Sequence, residues 1–222
     1  MNVVSVVEAA EYLEVSPRRV RQMLADELLA GRQIGREWAI ERRALESLKR
    51  HRGPAGRPWR ASSAWAVLAI ANGEGSDLPP VDRSRARRRL AEHGLAGLVA
   101  RLGARAEIRR FYGHPSVLEP MAAEPDVVLS GVSAAANHGA DIVASDFLEA
   151  YVPEARIAAL INQYGLDPDA ERPNVALRVV SDAVWPFAPE MEVASRFVVA
   201  VDLLDADDER SRRAGADLAQ HR

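Results

Sequence analysis

Two helix-start signals close together near the N-terminus constrain the fold more than any other feature of the chain. Ser5 is followed three residues later by Glu8, which is the arrangement of a capping box. Ser16 and Pro17 supply a second N-cap and the residue best suited to the first helical position. Since the segment "EVS" between them is short, the sequence predicts two helices joined by a tight turn. The first helix would bury the apolar residues spaced at helical intervals, Val6, Ala9, Ala10 and Leu13.

The second predicted helix separates its residue types cleanly. Steps of about 100° per residue put Val20, Met23 and Leu24 on one side and the cationic and amide side chains on the other. Acids usually interleave with bases on an exposed helix, yet none occurs between Ser16 and Ala25. Because Arg can bind guanine and Gln can bind adenine, the pattern favours a recognition helix over a merely solvated face. Its candidate DNA-contacting residues are Ser16, Arg18, Arg19, Arg21 and Gln22.

A hairpin is predicted next. The stretch "GRQIGREWAI", residues 31–40, has Gly35 at its tip and three apolar residues, Ile34, Trp38 and Ile40, suited to packing on the two helices. Such a wing would present Arg32 and Arg36 to phosphates or a minor groove. The segment "ERRALESLK" then predicts a closing third helix.

The stretch "VVEAAEYLEVSPRRVRQMLADELLAGRQIGREWAI" resembles the winged helix-turn-helix of the excisionase and MerR-like group. The helix pair, the stretch before the wing and the closing helix follow that group's pattern. The chain departs from it at Glu27, Leu28 and Leu29, where a glycine is usual. The resemblance covers about a quarter of the chain and implies recognition by Arg18, Arg19, Arg21 and Gln22, with Arg36 on the wing.

Residues 49–60, "KRHRGPAGRPWR", predict a basic linker, because glycine and proline exclude a regular helix. Arg52 and Arg57 are candidate phosphate or minor-groove contacts. The tripeptide "GRP" is similar to the core of an AT-hook, but Ala55 stands where the hook has arginine, and a solvated linker is the alternative. The predicted domains are a winged helix-turn-helix at 1–50, a linker at 51–61 and a C-terminal domain at 62–222.

Charge is divided unevenly along the chain. Residues 1–60 and 61–110 each carry a net charge of +4, and residues 111–222 carry −11. Such asymmetry often separates a part that faces nucleic acid from one that faces a partner. The chain has no cysteine, which excludes disulfides and thiolate zinc sites. Apolar runs such as "AWAVLAIA" are too short to span a bilayer and no signal peptide is visible, so we expect a cytoplasmic protein without membrane contact.

The remaining pattern predicts a helical middle and a C-terminal mixed-sheet α/β domain, so the fold class is α+β. We expect a helix at 62–72 and another over "RARRRLAEHGLAGLVARL", capped by Asp82 or Ser84. The arginines in its first turns oppose the helix dipole, so we expect negatively charged groups near them. These groups could belong to DNA phosphates, to the acidic half of the chain or to another protein. Strands are predicted at "DVVLSG", "NVALRVV" and "RFVVAVDLL", with a small-residue helix at "VSAAANHGAD" and a final helix at "DDERSRRAGADLAQHR".

Several residues of the acidic half are of the types that an enzyme would use: Gly131, Ser133, His138, Asp146 and Asp202. Nucleotidyltransferases combine a Gly-Ser turn with carboxylates that share metal ions. The spacing does not fit, because Leu148 stands where the second carboxylate should be and Glu149 would point to the other side of a strand. We therefore expect no enzyme, no metal and no cofactor.

Four segments of the acidic half occur in an order that resembles the C-terminal part of the AbiEi family of bacterial antitoxins. They are "LSGVSAAANHGAD", "AYVPEARIAALINQYGL", "NVALRVV" and "VVAVDLLDADDERSRRAGADL". The resemblance implies an autorepressor that binds repeated sites upstream of its own operon and counters a nucleotidyltransferase-like toxin. The excisionase-like N-terminal domain departs from the family's usual winged domain.

The sequence thus favours a DNA-binding autorepressor and antitoxin whose specificity needs two copies, through self-association or paired monomers, on repeated half-sites of double-stranded DNA. Three alternatives stay open at this point. They are a regulator that senses a small molecule, an enzyme with nucleotidyltransferase ancestry, and an adaptor that binds DNA without regulating transcription.

Overall fold

A computed structural model describes residues 3–13, 15–25, 29–35, 37–42, 44–45 and 59–220, with only the backbone of Ile34. The chain divides into two compact units, Met1–Gly56 and Arg57–Arg222. Along the described ranges, no helix has the length and apolar character needed to cross a bilayer.

The first unit contains two helices and a small antiparallel sheet. Its elements are β1 (Val3–Val4), α1 (Val6–Tyr12), α2 (Pro17–Ala25), β2 (Gly31–Ile34) and β3 (Glu37–Glu41). The strand order is β1-β3-β2, and the β2–β3 hairpin turns at Gly35, whose φ is 63°. The predicted wing is therefore confirmed. Of the predicted third helix, Glu41 belongs to β3 instead, and Arg42, Ala44 and Leu45 are helical, whereas residues 43 and 46–49 lie outside the described residues.

Both predicted helix starts are confirmed in the first unit. The Ser5 backbone N–H donates to Glu8 Oε2 at 2.8 Å, and the Glu8 backbone N–H donates to Ser5 Oγ at 3.3 Å. The Ser5 hydroxyl also donates to Glu8 Oε2, at 2.9 Å, and the two hydrogen bonds that Ser5 donates to this carboxylate lower the pKa of Glu8. The apolar sides of α1 and α2 meet β3 in one core, whose buried residues are Val4, Val6, Ala9, Ala10, Leu13, Val20, Met23, Leu24, Leu29, Ile40 and Leu45.

The second unit combines eight α-helices with four strands among the described residues. The first half contains α3 (Ala61–Ala71), α4 (Pro80–His93), α5 (Val99–Leu102), β4 (Glu107–Phe111), α6 (Pro115–Ala122) and β5 (Val128–Leu129). The second half contains α7 (Gly131–Ala134), β6 (Leu148–Pro153), α8 (Ile157–Tyr164), β7 (Val175–Val180), α9 (Arg196–Leu204) and α10 (Glu209–Gln220). Short 3₁₀ segments lie between several of these elements. The order β4-β7-β6-β5 makes a mixed sheet, parallel only between β6 and β7, which confirms the predicted α+β class.

The sheet lies between two hydrophobic cores. Along β6, Leu148, Ala150 and Val152 face a core shared with α6 and α8, while Tyr151 faces the larger core of the other helices. This is the alternation that a pleated strand imposes. Since both faces are covered, β6 and β7 are buried along nearly their whole length, as the apolar run in β7 predicts.

The prediction of a strand at "RFVVAVDLL" is wrong, because these residues form α9. Val and Phe favour strands, but burial on all sides gives a helix the same unbroken apolar run. Residues 198–203 are all buried. Gly215 of α10 comes so near α9 that an added Cβ would lie 2.7 Å from the Ala200 carbonyl oxygen. The two helices therefore pack backbone to backbone.

Both boundaries of α4 differ from expectation. The arginine-rich helix α4 is not capped by Asp82 or Ser84: it begins at Pro80, which fits the first helical position. It ends at His93 because Gly94 adopts a φ of 62°, so the predicted continuation to residue 102 is broken into short turns. Strands β4 and β6 were not predicted. The small-residue helix is shorter than predicted, because α7 ends at Ala134, and the final helix is confirmed as α10.

One glycine in the second unit is predicted to be essential for stability. Gly131 has a φ of 51°, and a Cβ there would overlap the carboxylate of Glu149. Gly131→Ala should lower the free energy of unfolding, measured in urea, by at least about 3 kcal/mol, because the buried ion pair of Glu149 must shift. Gly139→Ala is the matched control: its φ is 83° but nothing lies within 4 Å, so only about 1 to 2 kcal/mol should be lost. Equal losses would contradict this.

Candidate nucleic-acid interface

The start of α2 is fixed by its N-cap, Ser16, and by Pro17. Ser16 Oγ accepts a hydrogen bond from the Arg19 backbone N–H at 3.2 Å, and Pro17 begins the helix. The turn before it is closed by the Val15 N–H, which donates to the Ala10 carbonyl at 3.0 Å. The predicted cap at Ser16 is thus confirmed, and it orients α2 relative to α1.

Packing fixes the rotation of α2 about its own axis. Val20, Met23 and Leu24 are at most 5% exposed, and they pack into the core that α1 and β3 share. Any rotation that buried the opposite side would place cations in that core. The predicted apolar side is therefore confirmed, and the remaining side must face solvent or a ligand.

The exposed side of α2 is basic and lacks acids. Arg18, Arg19, Arg21 and Gln22 are all exposed, and no acid occurs in the first turn. Arg19 Nη1 donates to Gln22 Oε1 at 3.1 Å, an arrangement that the sequence analysis missed although i,i+3 spacing allows it. Because Oε1 is occupied, the side-chain NH₂ of Gln22 remains as the group able to meet a base acceptor such as purine N7.

The wing adds a second cationic element to this unit. Arg32 lies on β2, exposed, where it pairs with Ala39 of β3. Strand β2 begins close to the Leu24 side chain of α2. This requires Gly31, since a Cβ there would lie 2.7 Å from Leu24 Cδ2. Three other predicted contact residues, Arg36, Arg52 and Arg57, lie outside the described residues.

Comparison with known proteins bears on this unit alone. A family model described as a helix-turn-helix domain matches residues 3–53. No curated protein and no solved structure matches the chain. The matched range contains both helices and the hairpin, so the N-terminal unit is a helix-turn-helix domain that binds double-stranded DNA, and the chain is a DNA-binding regulator. The individual contact residues stay predictions.

The polar residues of the enzymatic interpretation have separate partners in the second unit. Ser133 Oγ accepts from the Glu149 backbone N–H at 2.8 Å, and His138 Nε2 lies 2.8 Å from the Ala194 carbonyl oxygen. Asp146 is exposed, whereas Asp202 is fully buried. Across the described part of the chain, no group of three or more acidic or histidine side chains is arranged to hold a metal ion.

Asp202 is the centre of a buried network of charges. Arg105 Nη2 donates to Asp202 Oδ1 at 2.5 Å, and the Tyr151 hydroxyl donates to the same oxygen at 2.8 Å. The Ser130 hydroxyl donates to Oδ2. Burial and, next, the charge of Asp202 raise the pKa of Tyr151 although Arg105 lowers it, so the phenol keeps its proton.

A second arginine extends this network to the sheet. Arg178 of β7 donates through Nη2 to Glu149 Oε1 at 2.6 Å, and its Nε lies 3.4 Å from Asp202. Burial alone lowers the pKa of Arg178, but the charges of Asp202 and Glu149 more than offset this and raise it. An arginine and an aspartate inside the apolar runs "NVALRVV" and "VVAVDLL" were the available sequence signal, because buried charges need partners.

The basic face of α2 gives the first prediction on binding. The test uses a duplex that the wild-type protein selects from a random pool. Arg18→Ala and Arg21→Ala should each weaken binding to this duplex by about 5- to 150-fold, the value of one bidentate base contact. Arg42→Ala removes the same charge from an exposed position outside α2 and should have a much smaller effect. Fluorescence anisotropy measures this, and equal losses for all three variants would refute base reading by α2.

The buried network gives a prediction on stability. Asp202→Ala should lower the free energy of unfolding in urea by about 3 to 5 kcal/mol, because it leaves Arg105 buried without its carboxylate. Asp146→Ala, which removes the same charge from an exposed residue, should change it by less than about 0.5 kcal/mol. A small loss for Asp202→Ala would show that the network is not structural.

Proposed function

We propose that the chain is a sequence-specific autorepressor and also the antitoxin of a nucleotidyltransferase-like toxin encoded beside it. The observation that carries the repressor role is the acid-free face of α2, exposed on a helix-turn-helix domain. Arg18, Arg21 and Gln22 would read base edges, and Arg19 and Arg32 would contact phosphates, together with Arg36, Arg52 and Arg57.

The proposed operator contains two half-sites. Helix α2 has nine residues and is therefore only about 14 Å long, which matches about four base pairs. So short a reading length gives little discrimination within a genome. Two copies of the chain, as a dimer or as paired monomers, would double the length that is read.

The antitoxin role rests on the order of the four motifs that resemble the AbiEi family. They fall on β5 and α7, then β6 and α8, then β7, then α9 and α10. These elements are consecutive and supply three strands of the mixed sheet and the helices that cover it. The resemblance thus concerns a whole structural layer and not isolated surface segments.

We also propose that the chain has no catalytic activity of its own. In the second unit, the carboxylates of Asp202 and Glu149 are both engaged by buried arginines. Carboxylates that bind catalytic metals must instead face a space that a metal and its substrate can enter.

Growth of a bacterial host expressing the neighbouring reading frame tests both roles. Expressed alone it should arrest growth, and the full chain should restore it. The variant Arg18→Ala/Arg21→Ala should still restore growth but no longer repress a reporter under the upstream region. Gly131→Ala, which damages the second unit, should do the reverse.

A harmless neighbour would refute the antitoxin role and leave the regulator. In that case the chain would be a regulator without a toxin partner, and a groove of about 530 Å³ in the second unit would be the candidate binding site for a small effector. Repression that survives Arg18→Ala/Arg21→Ala would refute base reading by α2.

A further inference from the structure

Helix α4 of the second unit carries an unusual concentration of arginines. We call Arg85, Arg87, Arg88, Arg89 and Arg101 the arginine surface. The first four lie on α4, and Arg101 lies on the neighbouring α5. Arg85, Arg87 and Arg88 are exposed around the solvent side of α4, while Ala86 and Leu90 point toward the core. Arg83 is not part of it, because it donates to the Ser76 and Leu78 carbonyls at 2.7 and 2.9 Å.

Nearby acids do little to neutralise this surface. Arg85 lies 3.9 Å from Asp82 and Arg88 lies 4.0 Å from Glu92, and all four side chains are more than half exposed. Exposed ion pairs at such distances are weak and screened by salt. Arg87 has no hydrogen bond or ion pair with any residue that the structure describes. The surface therefore keeps a net positive charge.

Two of the arginines are held in place by an aromatic ring. The guanidinium of Arg89 lies 4.1 Å from the centre of the Trp59 ring, and that of Arg101 lies 5.9 Å from it. Burial, then repulsion from Arg85, Arg88 and Arg101, lowers the pKa of Arg89. Like charges are thus kept close together, and an anion that bridges them would relieve the repulsion.

We propose that the arginine surface is a second DNA-binding surface, which contacts phosphates without reading bases. This rests on the proposed function of a sequence-specific repressor. Arginine suits the phosphate group because its guanidinium donates two parallel hydrogen bonds. Both surfaces belong to one chain, so DNA bound by the helix-turn-helix domain raises the effective DNA concentration at α4. Residues 111–222 carry a net charge of −11, so the arginine surface is a local concentration of positive charge in a unit that is acidic as a whole.

The test compares two triple variants of the full chain with the same loss of charge. Arg85→Ala/Arg87→Ala/Arg88→Ala changes the arginine surface. Arg110→Ala/Arg172→Ala/Arg213→Ala removes three exposed arginines from other parts of the same unit. Dissociation constants are measured by anisotropy over a range of KCl concentrations, for a duplex selected by the wild-type protein and for a random-sequence duplex.

We expect the arginine-surface variant to bind both duplexes about tenfold more weakly or worse at low salt. Its slope of log K against log salt should be smaller by about 2 to 3, since each lost phosphate contact removes about 0.9. The ratio of selected to random affinity should not change, because phosphates carry no sequence information. The control variant should keep the wild-type slope.

Two results would overturn the proposal. One is equal slopes for the two triple variants. The other is unchanged DNA binding together with loss of self-association in sedimentation, which would assign the surface to the acidic face of a second copy. The variant Arg18→Ala/Arg21→Ala separates this proposal from the proposed function as a sequence-specific repressor. It should lower the ratio of selected to random affinity but keep the part of the salt dependence that α4 contributes. If that variant keeps the wild-type ratio, base reading by α2 fails whatever the slopes show.

Discussion

The second unit depends on the ion pair between Arg105 and Asp202. It joins the end of a 3₁₀ segment to the last turn of α9, and Arg178 and Glu149 continue it into the sheet. Isolated buried charges are costly, but each of these is surrounded by opposite charge and hydrogen bonds. Gly131 is part of the same arrangement, because the Glu149 carboxylate occupies the space where a Cβ would be. The network thus determines how the sheet, α7 and α9 fit together.

The first unit is organised differently and could be predicted much more fully from sequence. Its helix starts, its turn and its wing each have local signals: Ser5 with Glu8, Ser16 with Pro17, and Gly35. Such signals act within a few residues, so a single sequence contains them completely. The basic face of α2 follows from the helical spacing of its residues. The hydrogen bond between Arg19 and Gln22 does not, because it depends on the side-chain conformations that the structure shows.

In the second unit the sequence predicted the class but not all elements. The sequence predicts a strand at α9 because burial on nearly all sides makes most of the surface of this helix apolar, and local periodicity does not register such burial. Strand β6 was missed because the acid Glu149 interrupts its apolar pattern, and the partner that allows its burial lies 29 residues away. Both errors have one cause, which is that tertiary contacts decide these segments.

The long sequence separation within the network also affects the order in which the chain acquires structure during synthesis. Arg105 and Asp202 are 97 residues apart, so the second unit cannot close its core until most of it has left the ribosome. The contacts of the first unit lie among residues 3–45, and that unit can fold far earlier. A nascent or prematurely ended chain would therefore present a folded DNA-binding domain before the acidic unit exists, so the ability to bind DNA would come before any function of the second unit.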